Sequence, residues 1–405
     1  MKVTLLTVGE YPAVYGLHAS QVLPFGVYLR QHEIDVQWIA FLPIESRVKD
    51  LFLGGSKLAK INDLADQNGV DFFTQVFPIT ISRIHSYFFR KWLIRKAGQK
   101  LAKILIEQRQ NSEQHIIHCR SYFATAVALE AKKIIGDISV SFDMRSLLPP
   151  EIPLIHPYIG KFFYGSLKSW EAELLEASDF SFFPCHRGIK LLELEGVRRL
   201  PNYVPIIGFE VAGSDTLHQL IDLENPVIGY IGSFGVWQSP RLLEKIFDQL
   251  AINLPTCSFQ VLTESTTNFK RPVSIRAVSN QQVKQEIKNM LALIVPGPEK
   301  SKNYFSSMKL SANFFSTKAA EALSLGIPLI VNSEIKELAD YVRSYKCGLV
   351  FSIKGGDEIQ FESIENNELS SLDLWNNLHD AAKKCTPEFR RSSIFEKYLR
   401  IWREA

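Results

Sequence analysis

The chain of 405 residues is 46% hydrophobic and 22% charged, the proportions of a soluble globular protein, and its length suggests two domains of about 200 residues each. A formal net charge of +3 is too small to argue for nucleic acid, so no such partner is expected. Five scattered cysteines (Cys119, Cys185, Cys257, Cys347, Cys385) form no C-x-x-C or Cys/His cluster, which points away from a disulfide framework or a zinc site and towards a reducing cytoplasm.

The opening MKVTLLTVGEYP reads as a first strand rather than a secretory signal, because its apolar run is short and ends in Gly and Glu. No run of eighteen apolar residues occurs, so no membrane span is expected. Val3 to Val8 suits a buried strand of a parallel sheet. A loop from Gly9 to Ser20 follows, holding Tyr11, Tyr15, Gly16 and His18. Gln21 to Arg30 then reads as helix and Ile34 to Phe41 as a second strand. That order opens a doubly wound α/β domain. The first loop lacks G-x-G-x-x-G, which counts against an NAD or FAD enzyme.

Arg83 to Arg109 holds eight Lys or Arg against one Glu, Glu107. Aromatic and apolar residues recur there at helical spacing. One reading is a surface helix with a solvated basic face and a core stripe. The other is contact with an anionic membrane surface through residues 83–109, with aromatics at the interface and cations near phosphates. Ile116 to Arg120, I-I-H-C-R, ends a strand, and Ser121 to Lys133 is the helix after it. Ligands gather at the carboxyl ends of such strands, so His118 and Arg120 are candidates, with a packed core histidine as the other reading of His118. Val140 to Arg145 ends a further strand. Its Asp143 and Arg145 form either a structural ion pair or a ligand contact.

Pro149, Pro150, Pro153 and Pro157 predict an extended loop. Trp170 to Ser178 reads as helix and Asp179 to Pro184 as strand. Asn202, in L-P-N-Y-V-P, is expected in a turn with positive φ. The linker is placed between Pro205 and Leu223. A second α/β unit opens at Val227 to Gly232, followed by Ser233, and Pro240 to Leu250 is its helix. A glycine loop there lets a backbone approach phosphate closely. Phe259 to Leu262, Ser274 to Val278 and Leu291 to Val295 are strands, and Gln281 to Met290 is helical. Lys300 to Phe315 is a polar, aromatic loop.

Ser316 to Asn332, S-T-K-A-A-E-A-L-S-L-G-I-P-L-I-V-N, reads as loop, helix, stop and buried strand. Ser316 or Thr317 suits the N-cap, Ala319 to Leu325 are good helix formers, and Gly326 suits a left-handed stop before Pro328. Free amides at such a helix start attract anions. Glu321 lies about one turn inside, either as an ordinary surface Glu or as a carboxylate that holds a polyol. Ile335 to Val342 is a helix, Cys347 to Phe351 a strand, and Pro387 to Glu404 an amphipathic tail helix.

The block S-T-K-A-A-E-A-L-S-L-G-I-P-L-I resembles the donor-site signature S-P-T-K-x-x-E-x-L-A-x-G-x-P-V-I of the retaining glycosyltransferases of family 4. V-S-F-D-M-R, L-P-N-Y-V-P, G-S-F-G-V-W-Q and C-G-L-V are weaker likenesses to the same family. The resemblance implies the GT-B fold: α/β, two Rossmann-like doubly wound domains facing a central cleft. It implies an acceptor-binding domain at 1–205, a nucleotide-sugar donor-binding domain at 206–385, and a C-terminal helix at 386–405 crossing back to the first domain. Donor contacts are then expected from Gly232, Ser233, Val278, Ser316, Thr317, Lys318 and Glu321, and acceptor contacts from Gly16, His18, Asp143 and Arg145. His118, Arg120 and Asn313 take the catalytic positions. Asn313 and Ser233 stand where the family often has Glu and Arg, and Arg120 where it often has a second His.

The reaction implied is transfer from a UDP- or GDP-sugar to a glycan, lipid-linked or small-molecule acceptor, as in polysaccharide biosynthesis, without metal or cofactor. Loop amides, the helix start and Lys318 would stabilise the departing diphosphate, and no D-x-D motif is present. The rivals are a sugar-nucleotide epimerase or phosphorylase on the same fold, a catalytically weak sugar-binding or scaffolding member, and a dehydrogenase. The last is opposed by the missing glycine fingerprint.

Overall fold

Seven strands, β1 (Lys2–Val8), β2 (Asp35–Pro43), β3 (Asp71–Phe77), β4 (His115–Arg120), β5 (Ser139–Asp143), β6 (Phe180–Phe183) and β7 (Asn202–Tyr203), build one sheet in the order β3-β2-β1-β4-β5-β6-β7. Every neighbouring pair in it is parallel. A second sheet has the order β10-β9-β8-β11-β12-β13-β14. Its strands are β8 (Val227–Ile231), β9 (Ser258–Leu262), β10 (Ser274–Arg276), β11 (Ala292–Val295), β12 (Leu329–Asn332), β13 (Gly348–Ile353) and β14 (Ile359–Phe361), and only β14 runs antiparallel. The computed structural model describes residues 1–12, 18–52, 55–79, 84–108, 114–156, 160–211, 224–234, 238–278, 280–297, 315–354, 358–362, 364 and 366–404. The chain divides into two compact units, Met1–Pro184 with Ile189–Tyr203, and Cys185–Gly188 with Val204–Ala405.

Each sheet reverses its winding once. In the first unit β2 and β4 flank β1 on opposite sides, and in the second β9 and β11 flank β8. Crossovers leaving in opposite directions open a crevice at the carboxyl ends of those strands. Polar groups inside the first sheet are satisfied locally: Gln37 donates to Thr4 Oγ1 at 2.8 Å and Trp38 Nε1 to Thr7 Oγ1 at 3.1 Å. No helix among the described residues is long and apolar enough to cross a membrane.

The Ser316–Asn332 block folds as its residues dictate. Ser316 caps the helix Thr317–Ser324, its hydroxyl accepting from Lys318 N at 3.2 Å. Gly326 takes φ 75°, the left-handed stop, and β12 follows.

Three expectations fail. The proline-rich stretch is helical at Leu148–Ile155, because Pro149 and Pro150 fall in the first turn, where the amides they lack would have no helical partner. Asn202 belongs to β7 and has no positive φ; its side chain instead donates to Ser181 O at 3.2 Å. The tail is broken at Arg390 into the helices Leu372–Phe389 and Arg391–Arg403. Pro387 lies within the first of them rather than starting the second.

Linker residues support the helix Thr317–Ser324 from behind. Gly208 N donates to Phe389 O at 3.0 Å and Phe209 N to Ser324 Oγ at 2.9 Å. A Cβ on Gly208 would lie 2.6 Å from Phe389 O and 2.7 Å from Ala320 O. Gly208→Ala should therefore lower stability by about 1–3 kcal/mol. An unchanged urea midpoint would contradict this packing.

Glu171 is buried beside Tyr122, and burial, opposed by the Tyr122 hydrogen bond, pushes its pKa up to about 8. Tyr122 has one proton and two acceptors within reach, Glu171 and Ser146 O, while its oxygen accepts from Leu148 N. A protonated Glu171 donating to Tyr122 satisfies all of them. Because the folded pKa is raised, this carboxyl costs stability as pH climbs from about 4.5 to 8. Glu171→Gln should gain on the wild type over that range, by on the order of 1 kcal/mol per pH unit. A pH-independent difference in melting temperature would rule this out.

Candidate functional site

In the first unit the parallel register sets Thr7 beside Arg120 and Arg120 beside Asp143, and sets His118 beside Ser141. The carboxyl ends of β1, β4 and β5 thus bring several charged residues to one place. Arg120 is buried; its Nε lies 3.3 Å from Glu10 Oε2 and its Nη1 donates to Gln21 Oε1 at 2.8 Å. His18 Nε2 also lies 3.3 Å from Glu10, with its ring stacked 5.7 Å from Trp38. Beside this set, Arg145 Nη2 meets Asp143 Oδ2 at 2.5 Å and His118 Nε2 approaches the same oxygen at 3.6 Å. His118 Nδ1 is 3.0 Å from Ser141 Oγ, and Phe25 packs edge-on at 5.2 Å.

Electrostatics follow from burial and pairing. Burial would raise the Glu10 carboxyl, but the Arg120 charge and the His18 hydrogen bond outweigh it and hold Glu10 at about 2. Asp143 is likewise held far below the usual carboxylate range, the Arg145 charge and His118 overcoming burial. Burial pushes the His118 pKa down, against the pull of Asp143, so its imidazole is neutral near pH 7. With its Nε2 proton towards Asp143, Nδ1 accepts from Ser141 O–H. The cluster therefore offers fixed guanidinium donors and carboxylate acceptors with little net charge, a set suited to hydroxyls and anionic groups.

In the second unit, Ser316, Thr317 and Lys318 occupy the start of one helix, and Glu321 lies one turn further in. Lys318 Nζ meets Glu321 Oε2 at 2.8 Å, with the carboxylate nearly buried and the ammonium about a third exposed. Arg391 is close enough to feel both Glu321 and Glu210, although burial lowers its own pKa. Gly232 follows β8 with φ 135°, a value that favours glycine. Ser233 is exposed, and its carbonyl accepts from Tyr230 Oη at 3.1 Å. Val278, half-buried beyond β10, packs on the same core as Ile231, Leu262, Phe315 and Ala319. That shared core gathers the loops after β8 and β10 with the helix start.

The sequence-derived candidates thus fall into two sets. His18, His118, Arg120, Asp143 and Arg145 share one polar cluster in the first unit. Gly232, Ser233, Val278, Ser316, Thr317, Lys318 and Glu321 lie at the carboxyl side of the second sheet. Gly16 and Asn313 lie outside the described residues. Sequence reasoning missed Glu10, Gln21 and Arg391. Glu10 follows β1 by two positions at the winding reversal, a signal that could have found it; Gln21 and Arg391 carried none. It also missed the tight turn after Arg120, where Ser121 takes φ 70°, a conformation that costs a non-glycine roughly 1–2 kcal/mol.

No protein-family model and no curated protein matches the chain. Solved structures do. A sucrose-phosphate synthase from Thermosynechococcus elongatus aligns at TM-score 0.61 and 12% identity, over 100% of this chain and 98% of its own. A glycosyltransferase from Rickettsia africae aligns at 0.60 and 13%, over 100% and 98%. The lipopolysaccharide outer core galactosyltransferase WaaB aligns at 0.58 and 14%, over 100% of both chains. At these identities the likeness establishes the fold: the chain is a two-domain α/β protein of the GT-B type.

Glu10 gives a pH test. Its pKa falls from about 4.5 to about 2 on folding, so its contribution is full above pH 4.5 and fades as pH drops towards 2. Glu10→Gln should cost about 1–3 kcal/mol near pH 7, less than a fully buried pair because a quarter of the side chain is exposed. The gap between wild type and variant should narrow from pH 4.5 to 2 in denaturant titrations. A constant gap would mean that Arg120 does not hold this carboxylate.

Proposed function

We propose that the chain is a retaining glycosyltransferase of the family 4 type, moving a sugar from a UDP- or GDP-sugar to a glycan, lipid-linked or small-molecule acceptor without a metal. The observation that carries this reading is the Ser316-capped helix, which opens on the carboxyl side of a parallel sheet with Lys318 and buried Glu321 in its first turns. Amides of that first turn can hold a diphosphate, and Lys318 can neutralise it as the glycosyl bond breaks. Glu321 is the carboxylate for the ribose hydroxyls. Gly232 lets backbone approach the phosphates, Ser233 adds a hydroxyl, and Val278 offers main-chain groups to the base.

In this reading His118 and Arg120 face the reacting sugar with Asn313, while Gly16, His18, Asp143 and Arg145 serve the acceptor. Buried, neutral His118 would offer the proton on Nε2, which lies 3.6 Å from Asp143 Oδ2, to a sugar hydroxyl while Nδ1 stays with Ser141. All five cysteines are free thiols, which fits a reducing cytoplasm. The basic segment 83–109 would hold the enzyme against an anionic membrane surface.

Melting the protein with UDP, GDP, ADP and CMP tests the donor site. One nucleoside diphosphate should stabilise it by roughly 2.7 kcal/mol at about 100 times its dissociation constant, with or without magnesium. Glu321→Ala should weaken that ligand by about 1–3 kcal/mol in calorimetry, the loss of a charge-assisted hydrogen bond. If no nucleotide shifts the melting temperature, the transferase reading falls.

A further inference from the structure

A cleft of about 620 Å³ opens in the first unit between the helices Arg90–Glu107, Ser121–Ile135 and Gly160–Ala177. That volume lies within the range of small-ligand sites. Gly98 lets two of its walls meet closely, since a Cβ there would lie 2.4 Å from Glu130 Cβ. Ile94, Ala126, Trp170 and Leu174 give the cleft an apolar lining. Four cations, Arg90, Lys91, Arg95 and Lys133, share it with two carboxylates, Glu130 and Glu173. Lys133 pairs with Glu130. Arg90 is fixed, donating to Ser166 Oγ at 3.0 Å with its guanidinium 5.5 Å over the Trp170 ring. Lys91 and Arg95 are exposed and form no ion pair among the described residues.

Aromatic residues adjoin two walls of the cleft in sequence. Phe88 and Phe89 directly precede Arg90, and Phe162 lies one helical turn before Ser166. The Phe88 ring meets Phe163 at 4.8 Å, and Phe162 meets it at 5.7 Å. Yet Phe88, Phe89 and Phe162 are 58%, 63% and 83% exposed, and Trp92 is 58% exposed. Phe88 and Phe162, gathered on Phe163, are exposed large apolar side chains of the kind that mark a surface made to be covered. A soluble phosphate would leave them in water, and an apolar partner would leave the cations uncompensated.

We infer that this cleft binds the phosphate headgroup of a single anionic lipid, with Phe88, Phe89, Trp92 and Phe162 entering the acyl region beside it. The inference rests on the membrane contact proposed above and not on the transfer reaction. It replaces diffuse adsorption by a stoichiometric site: the phosphate meets Lys91, Arg95 and Arg90, and the chains run over the aromatics.

The test uses the full chain and three probes: dihexanoyl phosphatidic acid, inorganic phosphate, and phosphatidylcholine vesicles with or without phosphatidic acid. Tryptophan fluorescence, reporting Trp92 and Trp170, should change saturably with the short-chain phosphatidic acid and far less with phosphate. Replacing Lys91 and Arg95 together by Gln should weaken that binding by roughly tenfold or more. The same change at exposed Lys96 and Lys100, which lie outside the cleft, should leave it within about twofold. Phe162→Ser should reduce vesicle sedimentation. No saturable change, equal binding of inorganic phosphate, or equal losses from the two double variants would each overturn the site. In the last case vesicle binding alone would survive, as adsorption to a basic helix. The nucleotide melting experiment stands apart from all of these outcomes.

Discussion

Parallel pairing is the constraint on which the rest of the structure depends. A parallel strand must return through a crossover, so every strand carboxyl end in a sheet points the same way. Of the bonded pairs in the two sheets, only β13 with β14 departs from this. The carboxyl ends therefore become the place where loops and helix starts accumulate. The winding reversals at β1 and β8 prevent crossovers from closing over that edge. The apolar, β-branched strands that can lie buried between two helical layers supply the framework, and the residues just beyond them supply the chemistry.

The first unit shows what such an edge demands of charge. Arg120 and Asp143 are adjacent in register and both buried, which would be ruinous if either stood alone. Each instead has its own counter-charge, Glu10 for Arg120 and Arg145 for Asp143. His118, squeezed between Ser141, Phe25 and Asp143, is kept neutral by burial. The outcome is a dense set of directional donors and acceptors without a strong field. Such a set can discriminate among hydroxyl patterns, because any ligand that fails to replace a displaced contact leaves a buried polar group unpaired.

Much of this was legible in the sequence, and the reasons are local. β1, β4, β5 and β12 are short apolar runs bounded by polar or glycine residues, and Ser316, Gly326 and Pro328 punctuate a helix whose limits depend only on nearest neighbours. The misreadings are local rules overridden by position. Pro149 and Pro150 are breakers inside a helix but harmless in its first turn. Asn202 favours a turn in isolation, yet edge pairing with β6 decides its backbone. The helix Leu372–Phe389 went unread although Trp375, Leu378, Ala382, Cys385 and Phe389 recur along its buried face at helical spacing. Glu10, Gln21 and Arg391 were hidden for another reason: their partners lie 99 to 110 positions away for the first two, and no pattern within a single element encodes such distances.

The charge at the Thr317–Ser324 helix is arranged unequally, and that inequality fits the proposed chemistry. Glu321 is held inside a helix turn with almost no exposure, while its partner Lys318 is about a third exposed at the end of a flexible stem. The anion is therefore the fixed member of the pair and the cation the movable one. In the proposed reading, a diphosphate arriving at the helix start would compete for the cation, and Lys318 could follow it while keeping its charge close to the first-turn amides. Glu321 cannot follow. Left with the more distant Arg391, it has an acceptor to spare for a hydroxyl of the same ligand. In that reading one displacement would neutralise the phosphates and uncover the carboxylate, and the i, i+3 spacing of Lys318 and Glu321 is what couples the two.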